Sequence, residues 1–206
     1  MRGASVASIS RARAAPASMV LLLLAACGAP SGSAPGAAPA PVPVLPPAPL
    51  AQVFVLEASG AAPEDTVVAV TPGAARVIVL RRSAPDFGLF ATLELRPGSD
   101  TAAAVRGGFP TDVTLQPTPG LYGLTLAFQG AVADSATITF SYGTHFVAPA
   151  GARERYGSNL AFEKALAIGR VGNDGVVTFL PTTRPGSDMV RAPVAGPGRY
   201  LVAAPR

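Results

Sequence analysis

Few side chains in these 206 residues can do covalent work, and they are scattered. There is one cysteine, Cys27, one histidine, His145, and one lysine, Lys164. A thiol is the best nucleophile of the three. Cys27 is not placed like a catalytic thiol, however: it ends the apolar run Met19-Val-Leu-Leu-Leu-Leu-Ala-Ala-Cys27. With a single histidine, a Ser–His–acid triad depends on His145 alone, and a three-histidine zinc site is impossible. No Gly-x-Ser-x-Gly elbow, Ser-x-x-Lys pair or His-Glu-x-x-His stretch occurs. Glu64, Asp65 and Asp174 lack the clustered spacing of a calcium loop. We therefore expect no metal, no cofactor and no enzyme, with His145 in Gly143-Thr-His-Phe146 as a loop or packing residue.

The apolar run itself has about half of the roughly 20 residues a membrane-crossing helix needs. Arg2, Arg11 and Arg13 precede it, and the first acidic residue is Glu57. A basic segment, a short apolar segment and small residues at its exit make a secretory signal peptide, residues 1–26. Its end, Leu24-Ala25-Ala26-Cys27, resembles the lipobox of bacterial lipoproteins. The resemblance implies cleavage between Ala26 and Cys27, with diacylglycerol on the Cys27 sulfur and an acylated amine. Two or more chains at about 0.8 kcal/mol per buried CH₂ give lasting attachment to a membrane. Gly28 follows the cysteine where an aspartate would signal retention, so we expect a bacterial cell envelope protein of the outer membrane.

Loss of the signal changes the charge balance. Three of the 16 basic residues leave with it, so 13 face 12 acidic ones and the net charge falls from +4 to about +1. A nucleic-acid partner then has no electrostatic footing. A lone cysteine also excludes an internal disulfide, so an oxidising compartment has to be met by packing.

Residues 28–50 contain eight prolines with Ala, Gly and Ser, and no charge. Such a composition cannot bury a core and favours extended polyproline geometry, so 27–50 reads as the lipidated residue and its tether. From residue 51 the texture changes. Short apolar runs at 52–57, 66–71, 76–81, 89–95, 112–116, 122–129, 136–142, 165–171, 176–180, 189–194 and 199–203 alternate with Gly, Pro, Asp and Asn. In Ala136-Thr-Ile-Thr-Phe-Ser-Tyr142 the hydroxyl residues face one side and Ile138 and Phe140 the other. That period of two predicts half-buried antiparallel strands and an all-β sandwich over 51–206, with less than about a tenth helix. A break near 117–121 would divide it into two small subdomains. Gly172-Asn-Asp-Gly175 is a hairpin turn. Arg96-Pro-Gly-Ser-Asp100 and Arg184-Pro-Gly-Ser-Asp188 read as one favourable turn used twice.

The stretches Ala165-Leu-Ala-Ile-Gly-Arg, Asp174-Gly-Val-Val-Thr-Phe-Leu-Pro-Thr-Thr, Val190-Arg-Ala-Pro-Val and Gly198-Arg-Tyr-Leu-Val resemble the close of a ZU5-like or immunoglobulin-like β-sandwich. The hairpin carries Val177 and Phe179 where those modules often have tryptophan. The resemblance implies a non-catalytic structural or interaction module.

Residues 143–164 form the longest segment without a strand pattern, and long connections often carry recognition. Arg153, Arg155 and Tyr156 are its candidate partner-binding anchors. Arginine offers a rigid fork of donors, and tyrosine apolar area with one polar tip. The sequence thus points to a lipid-anchored module that meets the membrane through Cys27 and a protein or envelope polymer through its β domain. The competing class is a hydrolase of envelope polymers. It would require His145 to meet a carboxylate and a hydroxyl within hydrogen-bond reach.

Overall fold

The computed structural model describes residues 45–71, 74–96, 111–128 and 136–206. All belong to one unit, Ala38–Arg206; the other, Met1–Ala37, lies outside the described residues, as do Ala26 and Cys27. The strands are β1 (Ala48–Pro49), β2 (Val53–Val55), β3 (Glu57–Ala58), β4 (Thr66–Val70), β5 (Arg76–Arg81), β6 (Leu89–Leu95) and β7 (Thr111–Pro117). They continue with β8 (Gly123–Phe128), β9 (Thr137–Ser141), β10 (Phe146–Val147), β11 (Ala167–Val171), β12 (Val176–Phe179), β13 (Met189–Pro193) and β14 (Gly198–Pro205). Two short helices, α1 (Ala152–Tyr156) and α2 (Asn159–Ala165), separate β10 from β11. Every stretch predicted as a strand holds one, and all the pairings are antiparallel.

One sheet runs β1-β12-β11-β14-β8-β7-β4, and β2 joins it on the second half of β14. The other runs β13-β9-β6-β5, and β3 and β10 form a separate two-stranded pair. The fold is an antiparallel β-sandwich. The four stretches that carry the ZU5-like resemblance are divided between its layers: β11, β12 and β14 lie in the large sheet and β13 in the small one.

The sheet begins earlier than composition implies. Ala48 and Pro49 pair with Val177 and Val176, and Leu45, Ala48 and Leu50 pack on a small core of Val53, Ala167, Val177, Phe179 and Ala203. The end of the proline-rich stretch is thus an edge strand. Proline is tolerated there because an edge leaves half the backbone groups unpaired. The break expected near 117–121 is the β7–β8 turn, and one core joins residues from both sides of it.

Alternation fixes what faces that core. Ile78 and Leu80 are buried, while Val77 and Val79 are exposed. Ile138 and Phe140 are fully buried, as are Tyr122, Tyr142 and Tyr200. Aromatic rings form a continuous path from Phe140 through Phe90, Tyr122, Tyr142 and Phe146 to Phe162, which meets Phe54 and Tyr156. Edge-to-face and stacked pairs of this kind add about 0.5–1.5 kcal/mol each beyond the area they bury. Among the described residues, no helix is long and apolar enough to cross a membrane.

Two outcomes follow from this core. Phe140→Ala should lower the unfolding free energy by about 3–5 kcal/mol in denaturant titrations. The second concerns the phenols. Burial raises the pKa of Tyr122, Tyr142 and Tyr200 above the ordinary 10.0, and that of Tyr142 to about 12. The unfolded chain releases these protons first, so the stabilisation is complete below pH 10 and disappears as pH rises through the native values. The melting temperature should therefore fall steeply between pH 10 and about 12, in step with the delayed ultraviolet titration of native tyrosinate.

Candidate functional site

Arg82 continues the inward alternation of Ile78 and Leu80, which places a guanidinium inside the sandwich at 2 % exposure. A buried charge is costly unless its donors are used. Arg82 uses them. One terminal nitrogen donates to the carbonyls of Ser59 at 2.9 Å and Ala61 at 3.3 Å. The other donates to the Tyr122 hydroxyl at 2.8 Å. The Tyr122 hydroxyl in turn donates to the Tyr142 carbonyl at 3.3 Å. The guanidinium also lies over two stacked rings, 5.4 Å from the Phe90 centroid and 5.3 Å from that of Tyr122. Its Nε is 3.8 Å from the Asp86 carboxylate.

These contacts fasten the segment after β3 to the β5–β6 loop. Arg82 N–H donates to the Gly88 carbonyl at 2.8 Å, closing that loop, and the Ser83 hydroxyl donates to the Ala62 carbonyl at 2.8 Å. The loop contains a cis Ala84–Pro85 peptide, and Phe87 has φ 53 and is 60 % exposed. A bulky residue in the left-handed region costs on the order of 1–3 kcal/mol.

His145 comes to the same place from the far side of the chain. It ends a 3₁₀ turn, Gly143–His145, directly before β10. The antiparallel register pairs Phe146 with Ala58, so the next step along the ladder sets His145 opposite Ser59. Its Nε2 is 2.6 Å from Asp86 Oδ2, and its Nδ1 is 3.4 Å from Ser59 Oγ. The carboxylate and hydroxyl that the hydrolase reading requires are thus both within reach of the imidazole. A carboxylate only accepts, so Nε2 carries the proton in the neutral ring and the Nδ1 lone pair faces the serine hydroxyl. The His145 and Asp86 side chains are 20 % and 27 % exposed, so the cluster opens to solvent.

The structure treats the three expected anchors differently. Arg153 and Arg155 are exposed on α1. Tyr156 instead packs on Phe54 and Phe162, and its hydroxyl donates to the Pro205 carbonyl at 2.6 Å. The segment expected as a loop holds a 3₁₀ turn, the short strand β10 and two short helices, the helices held by buried Ala152 and Phe162 and by Ser158, which caps α2 through the Ala161 N–H. Arg184 of the second Arg-Pro-Gly-Ser-Asp turn donates to the Glu163 and Leu166 carbonyls and to the Tyr142 hydroxyl. That makes it a helix C-terminal tie. Asp188 offers its carbonyl to Tyr142 N–H, and Asp100 lies outside the described residues. Among the described residues no three His, Cys, Asp or Glu side chains gather as metal ligands.

Ser59, Arg82 and Asp86 have no distinguishing local sequence. Ser59 is 86 positions from His145 and Asp86 is 59, so no spacing links them. The turn signal of Pro85-Asp-Phe-Gly88 could have marked a loop, though not its partner. Arg82→Leu should cost about 3–5 kcal/mol of unfolding free energy, since it leaves two carbonyls and a phenol without their buried donor. Arg153→Leu, on the exposed face, should stay within about 0.5 kcal/mol of the parent in the same titration.

Comparison with known proteins finds no family model, no curated protein and no solved structure that matches the chain.

Proposed function

We propose that this chain is a lipid-anchored bacterial envelope protein of the outer membrane, whose β-sandwich serves as a binding or structural module of ZU5-like or immunoglobulin-like type. The observation that carries the anchor is Leu24-Ala25-Ala26-Cys27 at the end of a short apolar run behind Arg2, Arg11 and Arg13. Cleavage before Cys27 and lipid on its sulfur attach the chain to the membrane, and the proline-rich stretch holds the domain away from it. No cofactor and no nucleic acid enters this reading.

Exposure of Arg153 and Arg155 on α1 supports a docking role for that segment. Tyr156 acts below them, as the residue that seats α1 on the sheet through Phe54, Phe162 and the Pro205 carbonyl. Two guanidinium groups on a fixed base suit a partner carrying carboxylates or phosphates, a protein or an envelope polymer.

Cys27→Ser should leave the signal uncleaved or the chain released, and the intact mass of the mature parent should fit a diacylglyceryl, N-acylated Cys27. A mature chain with an unmodified amino terminus elsewhere refutes the anchor. For the docking face, Arg153→Ala with Arg155→Ala should remove the main crosslinked neighbour in native envelopes while the melting temperature stays put. Crosslinks unchanged in that double variant would place the partner elsewhere.

A further inference from the structure

We propose that Ser59 is an activated nucleophile, with His145 as its base and Asp86 as the carboxylate that positions the imidazole, and that the site takes a carboxylic ester. This adds an activity to the binding role above and is independent of it.

Three chain segments with no local relation bring a hydroxyl, an imidazole and a carboxylate into one line: Ser59 Oγ 3.4 Å from Nδ1, and Asp86 Oδ2 2.6 Å from Nε2. The longer of these distances is usual for a nucleophile and base with no substrate bound. Fastening a loop requires only one of these contacts. Here Asp86 holds the ring in the tautomer that leaves a lone pair toward the serine, the arrangement that makes a serine hydroxyl reactive.

The surroundings are built to keep that geometry. Arg82 and Ser83 bind the carbonyls of Ser59, Ala61 and Ala62, so the serine sits on a fixed turn although its side chain is exposed. Gly60 has φ +79, and a Cβ there would stand 3.2 Å from both Cε1 and Nδ1 of His145. Glycine takes this positive φ without strain and leaves the His145 ring its place, where a Cβ would force the ring to give way. Arg82 Nε also lies 3.8 Å from Asp86 Oδ2, the same oxygen that meets His145. Strain at Phe87, the residue after Asp86, displays an aromatic ring at the surface. A serine open to solvent suits an ester carried on a bulky or polymeric alcohol better than a small molecule enclosed in a cavity.

The step balances as an acyl transfer. Ser59 Oγ bonds to the ester carbonyl carbon as its proton passes to His145 Nδ1. The resulting oxyanion collapses, the carbon–oxygen bond to the alcohol breaks, and the alcohol leaves with the proton from Nδ1. Water then repeats the sequence on the acyl-serine, releasing a carboxylic acid and restoring Ser59. The Gly60 and Ala61 N–H groups, next after the nucleophile, take no backbone acceptor among the described residues; in this proposal they are the donors offered to the oxyanion.

The test uses the full mature chain in detergent with two probes, a biotinylated fluorophosphonate and 4-nitrophenyl acetate. We expect one phosphonyl adduct, mapped to Ser59 by peptide mass, and nitrophenol release that falls about a hundredfold in Ser59→Ala and in His145→Gln. Asp86→Asn should fall between these and the parent. No adduct on the parent chain, or labelling and ester cleavage unchanged in Ser59→Ala, overturns the proposal. Ser59→Ala removes only an exposed hydroxyl, so it decides the question even if His145→Gln melts early. Neither probe reads Cys27 or α1, so failure here leaves the anchor and docking face standing.

Discussion

The buried guanidinium of Arg82 is the constraint on which the geometry of this domain turns. A charge at 2 % exposure is tolerable only if its surroundings supply partners, and two carbonyls, a phenol and a carboxylate do so from three parts of the chain. The segment after β3, the β5–β6 loop and the start of β8 cannot shift independently without orphaning a donor or acceptor in the interior. The aromatic path passes through the same point, since the Phe90 and Tyr122 rings that lie under the guanidinium are links between Phe140 and Tyr142, Phe146 and Phe162. Polar and apolar cores are one structure here.

This arrangement explains why His145 finds two partners. The β3–β10 register sets it opposite Ser59, and the loop that Arg82 closes brings Asp86 to the other ring nitrogen. The ring completes a polar chain that runs outward from Arg82 through Asp86 to the serine at the surface. Arg82 at the inner end is buried, while Asp86, His145 and Ser59 are all open to solvent in part or in full. The inner end of the chain therefore serves stability and the outer end is accessible to chemistry.

The legible part of this fold was what a period of two can encode. Thr137, Thr139 and Ser141 against Ile138 and Phe140 announced β9, and Gly172-Asn-Asp-Gly175 announced the β11–β12 turn. The Ala48–Pro49 strand was hidden because proline content signals a tether unless a neighbouring edge is known to accept it. The helices α1 and α2 were hidden for another reason. Each is too short for a periodic apolar stripe, and both hold by tertiary contacts of Ala152, Tyr156 and Phe162. Sequence chemistry drew attention to Arg153, Arg155 and Tyr156 as a unit, yet only the arginines face outward. It identified His145 as the sole histidine but not its setting, because Ser59 and Asp86 reach it only through sheet register and the pull of Arg82. Long-range polar contacts leave no periodic trace.

The state of the His145 ring tests this account most directly. Because His145 is the only histidine, a long-range nitrogen–proton correlation spectrum of the labelled chain reads its two ring nitrogens without assignment ambiguity. With the ring neutral, the account predicts a single tautomer with the proton on Nε2, held by Asp86, and a bare Nδ1 facing Ser59. In Asp86→Asn that single tautomer should give way to an averaged mixture. A proton on Nδ1 in the native chain, or an averaged ring in slow communication with neither partner, would contradict it.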